Sequence, residues 1–156
     1  MELERAQEIA DQVIKRLFPY CEKIKVVGSV RRQKTTPRDI DIVLIPSDPW
    51  NLSHEISGLG PSKLSGDKLK RVTFNGAQVD LYLATPETWA TLLLIRTGSA
   101  KNNIRLAILA KKRGWRLAAS GDGLFNENGE RIAGDSEESI YKALSLPYQE
   151  PWEREV

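Results

Sequence analysis

The chain has 156 residues, of which 40% are hydrophobic and 28% charged, and its formal net charge is +2. That length suits one domain, in one or two lobes, and the apolar share supports a core of moderate size. A balance this close to neutral, with a sequence pI of 8.7, excludes a uniformly basic nucleic-acid coat, so any basic surface is local.

From Glu2 to about Phe18, apolar side chains recur at Leu3, Ala6, Ile9, Ala10, Val13, Ile14 and Leu17, a helical spacing that Pro19 ends. This N-terminal segment is mixed in charge and lacks a signal-peptide core. No stretch of the chain approaches the roughly 18 apolar residues of a membrane span, so a cytoplasmic protein without a membrane partner is expected. Lys23 to Val27 reads as a strand, followed by Gly28-Ser29 and a basic stretch from Val30 to Lys34. Asp39 to Ile45 is a β-branched run stopped by Pro46, hence a second strand. Ser47 to Asp67, rich in Ser, Gly and Pro, reads mainly as a surface connection with room for one short helix around His54. Cys21 and His54 have no partner of their own kind, which excludes an internal disulfide and gives no sign of structural zinc.

Leu69 to Phe74 and Gln78 to Leu83 flank Asn75-Gly76, a strong hairpin signal because both turn positions tolerate positive φ. Pro86 to Arg96 predicts a helix opened by Thr85-Pro86 and ended by Gly98. Ser99 caps a further helix that runs to Lys112 or Arg113, where Gly114 stops it. Trp115 to Ala118 and Gly123 to Phe125 are short strand-like pieces, and Asn128-Gly129 is a turn. Asp135 to Glu138 begins a last short helix that reaches about Leu144. The pattern is α+β throughout: a first lobe of mixed sheet with flanking helices over 1–85, then a small α+β subdomain over 86–156.

The chemistry lies in the carboxylates. In a strand, residues i and i+2 point to one side and lie roughly 6–7 Å apart. Asp39 and Asp41 therefore face together, with Ile40 and Ile42 turned to the core. Two unit charges about 4 Å apart repel by about 4 kcal/mol at an effective dielectric near ~20. A divalent cation removes that cost, and Mg²⁺ suits such a place because it takes carboxylate oxygens and keeps waters and phosphates as its other ligands. Asp80 is a third acid in a strand-like run, able to join them if the hairpin pairs beside the Asp39 strand. Alone, the Asp-Ile-Asp pattern also suits a solvated sheet edge. Gly28-Ser29 with Arg31-Arg32 supplies close backbone approach, hydroxyl and N–H donors, and a planar fork for phosphate oxygens, yet by itself also suits a strand-to-helix turn.

In order along one chain, GSVRR, then DIDIVLI, then Asp80 resemble the nucleotidyltransferase superfamily. Thr97-Gly98-Ser99 with Asn103 downstream, and the tail from Asp135 to Ile140 and Leu146 to Pro151, are similar to family X DNA polymerases, the DNA polymerase beta relatives. The resemblance spans roughly Lys23 to Glu153. It implies a palm followed by a nucleotide-selecting subdomain, and addition of nucleotides to a primer 3′-hydroxyl with release of pyrophosphate. Asp39 and Asp41 would hold two Mg²⁺ ions (Mn²⁺ as substitute), and Asp80 one of them. Gly28, Ser29 and Arg32 would meet the triphosphate, Gly98 and Ser99 the sugar, and Asn103 the base. The implied partners are primer/template or gapped DNA and a dNTP, and the implied setting is DNA repair. Lys101, Arg105, Lys111, Lys112 and Arg113 are candidates for DNA contact, although a solvated charged face accounts for them equally well.

The sequence departs from that family in three places. Ile95-Arg96 stands where relatives often carry an aromatic pair that excludes the ribose 2′-hydroxyl, so ribonucleotide use is expected to be open to this chain. Ala107 stands where relatives often place a template-contacting arginine. Only one helix precedes the first palm strand, so deoxyribose-phosphate lyase activity is not expected. The competing readings are a transferase acting on a non-primer acceptor, and an inactive module that binds DNA ends.

Overall fold

The computed structural model describes residues 1–155. Helix α1 (Leu3–Leu17) buries Ala6, Ile9, Ala10, Val13 and Leu17, a single face at the 3.6-residue period. A 3-10 turn at Phe18–Tyr20, opened by Pro19, delivers the chain into β1 (Cys21–Val27). One turn of helix, α2 (Gly28–Arg31), carries the glycine-serine motif, and β2 (Ile40–Pro46) follows.

The segment expected to be mainly a surface connection is more ordered than that. Helix α3 (Pro49–Ser57) starts with Asp48 accepting a hydrogen bond from the Asn51 amide and Pro49 in the first turn. Its Leu52 and Ile56, four apart, reach the core under α1, and this pair outweighs the polar composition around it. A short exposed strand, β3 (Ser62–Ser65), closes the segment. The hairpin formed by β4 (Leu69–Phe74) and β5 (Ala77–Leu83) is the expected one, with φ of 51° at Asn75 and 79° at Gly76.

These strands form one mixed sheet in the order β1-β2-β5-β4-β3, in which β2 and β5 are parallel and the other neighbours antiparallel. Ile40, Ile42, Leu44, Val79, Leu81 and Val72 face α1 and α3. On the opposite face, Val27, Val43 and Ile45 meet Leu92 and Leu93 of α4 (Trp89–Thr97). The strand is thus buried on both sides beyond Asp41, which is why its sequence reads as a continuous apolar run.

Helix α4 begins at Trp89 rather than at Thr85-Pro86. The Thr85 and Thr88 hydroxyls accept hydrogen bonds from each other's backbone N–H, at 3.3 and 2.9 Å, and close a separate turn first. Helix α5 (Ala100–Lys112) starts where expected, with the Ser99 hydroxyl accepting from the Asn102 amide. A small antiparallel sheet, β6 (Arg116–Leu117), β7 (Leu124–Phe125) and β8 (Arg131–Ala133), includes one strand, β8, beyond those expected. Helix α6 (Glu137–Ala143) is capped reciprocally by Ser136 and Ser139. Leu94, Leu106, Ala110, Leu124, Ile140, Tyr141 and Leu144 form the core of this second part. Among the described residues no helix is long and apolar enough to cross a membrane.

Candidate active site

Asp41 on β2 and Asp80 on β5 are direct register partners in the parallel pair. Sheet alternation turns both toward the face that carries α4, because their flanking residues Ile40, Ile42, Val79 and Leu81 point into the α1 side. Asp39 lies one residue ahead of β2 and is half-buried. The expected route of Asp80 to the Asp39 strand, through the hairpin, is the one the sheet takes.

Gly28 lets Asp41 sit close to the motif that follows β1. A Cβ on Gly28 would lie 2.3 Å from an Asp41 carboxylate oxygen, and the backbone there has φ of 62°. Asp41 itself is held in a costly state. Burial first, then the negative charges of Asp80 and Asp39, push its carboxyl up to about 6, against a smaller opposing pull from Arg96 and the Tyr82 hydroxyl. Neighbouring carboxylates whose charges disfavour one another are a donor set that a hard divalent cation relieves, so these residues fit magnesium in kind.

Among the described residues, no group of three or more His, Cys, Asp or Glu side chains is gathered as a metal site. Arg71 on β4 stands beside Asp80. It is the register partner of Asp80 on the far side and donates to both its carboxylate oxygens, at 2.8 and 3.1 Å. Gln78 adds a longer contact of 3.4 Å. Sequence reasoning missed Arg71, although a signal for it exists: counting back from the two-residue turn at Asn75-Gly76 places it opposite Asp80.

The two arginines of GSVRR turn away from open solvent. Arg31 donates to the Thr97 hydroxyl at 2.7 Å and to both oxygens of Glu137, at 2.7 and 2.9 Å. Arg32 donates to the Thr97 carbonyl at 2.6 Å and to Glu155 at 2.8 Å. From the tail, the fully buried Arg154 donates to Glu137 at 2.8 Å and to the Tyr148 hydroxyl at 3.1 Å, and its carbonyl accepts from the Ser99 amide. Thr97-Gly98-Ser99 is therefore bracketed by the first lobe on one side and the chain end on the other. Gly98 is needed for that closeness, since a Cβ there would stand 3.0 Å from the Arg32 guanidinium.

Of the remaining expected residues, Ser29 and Ser99 are half-buried near these elements. The Asn103 amide donates to the Ile95 carbonyl at 2.8 Å, while its side-chain oxygen is buried without a partner. Arg96 is exposed and lies over the Tyr82 ring at 4.3 Å, beside the carboxylates. Lys101, Lys111, Lys112 and Arg113 are exposed, with Arg113 donating to the Ala143 carbonyl. Arg105 is half-buried and held by Asn102 and Gln149.

A family model described as DNA polymerase beta thumb matches residues 92–155. The DNA polymerase/3′-5′ exonuclease PolX of Bacillus subtilis is 31% identical over 98% of this chain, which spans 27% of that protein. Along nearly its whole length the chain is similar to family X DNA polymerases. A second family X relative, the repair DNA polymerase X of African swine fever virus, is 29% identical over 96% of this chain and 89% of its own length. DNA polymerase lambda of Rattus norvegicus is 29% identical over 82% of this chain, which spans 28% of it. The chain thus covers little more than a quarter of two of these relatives and most of the viral one. Its fold matches polymerase beta of Leishmania infantum in a ternary P/T complex with a TM-score of 0.81, at 18% identity, over all of this chain and 77% of that one.

Proposed function

We propose that this chain transfers nucleotides to a primer 3′-hydroxyl on DNA, releasing pyrophosphate, in the filling of short gaps during repair. The observation that carries the reading is the pairing of Asp41 with Asp80 in adjacent parallel strands, directly beside the Gly28-Ser29 turn. The names of the viral and bacterial relatives support the same chemistry.

In this reading Asp39 and Asp41 would hold both magnesium ions and Asp80 would hold one. When bound, the ions neutralise the triphosphate and lower the pKa of the attacking hydroxyl. The protein's own part is positioning and electrostatics, which dominate phosphoryl and nucleotidyl transfer. Gly28 and Ser29 offer a backbone and a hydroxyl to phosphate oxygens, and Arg32 brings a guanidinium to the same edge. Gly98 and Ser99 border the sugar, and Asn103 meets the base. Residues 1–85 act as the palm and residues 86–156 as the nucleotide-selecting part. Arg96, in place of an aromatic side chain, leaves room for ribonucleotides. DNA is held by Lys101, Lys111, Lys112 and Arg113, with Arg105 beneath them.

Primer extension on labelled recessed, gapped and blunt duplexes tests this, with dNTP and rNTP offered separately and Mg²⁺ or Mn²⁺ supplied. Extension that disappears in Asp80→Ala supports the reading. A folded protein that extends none of these ends, under any combination, overturns it.

A further inference from the structure

The bidentate pairing of Arg71 with Asp80 bears directly on how the site takes up metal. A carboxylate ion has two oxygens, and here one guanidinium bonds both of them. The arrangement is rigid on each side. Arg71 and Asp80 sit on neighbouring strands in fixed antiparallel register, and the Asp80 side chain is only 7% exposed. Asp41 is fixed just as firmly on the other neighbour of Asp80. One sheet face therefore carries Arg71, Asp80 and Asp41 in a row, a cation at one end and two acids after it. Both Asp80 oxygens are engaged by that cation, while the Asp80 charge still acts on Asp41.

We propose that Arg71 is the resident counter-cation of this carboxylate cluster, which holds Asp80 in the metal-free protein and sets how tightly the site takes a divalent ion. An incoming metal competes with the guanidinium for the same two oxygens, so uptake requires Asp80 to loosen at least one of the Arg71 hydrogen bonds. Two unit charges at this range interact strongly enough, at a protein-like dielectric, for removal of one to change affinity by about tenfold or more. Arg71 is thus a positioning residue. It aims Asp80 and weakens metal binding together, so its removal separates the two effects.

The inference rests on the reading of Asp80 as a metal ligand, and the experiment separates the two. Mn²⁺ binding to the protein alone is followed by the disappearance of the free-ion paramagnetic resonance signal, with no DNA or nucleotide present. Wild type, Arg71→Ala, Arg71→Lys and Asp80→Asn are compared, with circular dichroism as a check on folding. The expected result is Mn²⁺ binding about tenfold tighter in Arg71→Ala, with wild-type affinity largely restored by Arg71→Lys, which keeps the charge. At saturating Mn²⁺, primer extension by Arg71→Ala shows a lower maximal rate, because Asp80 is no longer aimed. If Arg71→Ala does not fold, Arg71→Lys decides: its single ammonium cannot form the two-point fork, so Mn²⁺ should bind modestly tighter than in wild type. Affinity that is unchanged or weaker in folded Arg71→Ala, or in Arg71→Lys where the alanine variant does not fold, while Asp80→Asn abolishes binding, overturns the role of Arg71 alone. Unchanged Mn²⁺ binding in Asp80→Asn overturns the metal-ligand reading, and the inference falls with it.

Discussion

Arg31, on the turn of helix after the first strand, donates hydrogen bonds of 2.7 and 2.9 Å to the two carboxylate oxygens of Glu137 at the head of α6. The pair spans most of the chain, and Arg154 completes it from the tail at 2.8 Å. One buried acid thus ties the Gly28–Arg31 turn, the Thr97 hydroxyl bonded to Arg31, and the C-terminal segment into a single arrangement. Breaking a buried pair by removing one partner leaves uncompensated charge, which costs about 3–5 kcal/mol. Glu137→Ala should lower the unfolding free energy by about that amount, read as a shift in the urea midpoint at constant slope. A midpoint within error of wild type would contradict the assignment.

The same acid makes stability depend on pH. Burial would raise the Glu137 carboxyl, but the Arg31 hydrogen bond and the Arg154 and Arg31 charges outweigh it and hold it below the usual value of 4.5. A depressed folded-state pKa contributes stability that is fully present above the unfolded value and is lost as pH falls through the folded one. Wild type should therefore lose stability below about pH 4.5, while Glu137→Gln, already destabilised, should lose less over that window. Thermal melts of the two proteins from pH 7 downward check this, and parallel curves would contradict it.

Gly28→Ala places a methyl group where an Asp41 carboxylate oxygen lies, in a backbone of positive φ. Both effects act together, so a loss of roughly 1–3 kcal/mol in stability is expected. Primer extension should fall further than stability does, because Asp41 must move. Single-turnover rates measured beside urea curves distinguish the two, and a near-normal rate would contradict the close approach.

The exposed cations on and after α5 should act by neutralising DNA phosphates. Changing Lys111, Lys112 and Arg113 together to alanine should weaken DNA binding regardless of sequence. It should also reduce the slope of log affinity against log salt by about 0.9 for each phosphate no longer neutralised. Fluorescence anisotropy over a salt series measures this, and an unchanged slope would return these residues to the role of a solvated face.

Arg96 lies over Tyr82 at 4.3 Å, next to Thr97-Gly98-Ser99, the segment proposed to border the sugar. Arg96→Phe supplies an apolar ring at that place, and preference for dNTP over rNTP should rise by about tenfold. The ratio of the two incorporation efficiencies is the readout, and an unchanged ratio would separate Arg96 from sugar selection.

Much of this molecule was legible in the residues alone. The strand positions of Asp41 and Asp80 followed from their β-branched runs, with Asp39 just ahead of the first. The hairpin followed from Asn75-Gly76, because few dipeptides accept two positive φ values. Short-range rules of this kind depend on neighbours in sequence, so they survive without coordinates. The helix over Pro49–Ser57 was less legible, since only Leu52 and Ile56 declare it and their partners lie in α1.

By itself, the sequence determined the strand that presents Asp41, the turn that carries Gly28, and the resemblance to family X DNA polymerases. Only the tertiary structure decided which cation meets which acid. Nothing in the sequence near Arg31 and Arg32 announces Glu137 and Glu155, the acids that they reach far along the chain. Arg71 read as an ordinary strand residue, yet it holds Asp80. Charge pairing has no sequence period: it is set by distance and burial once the sheet and the second core have brought remote segments together.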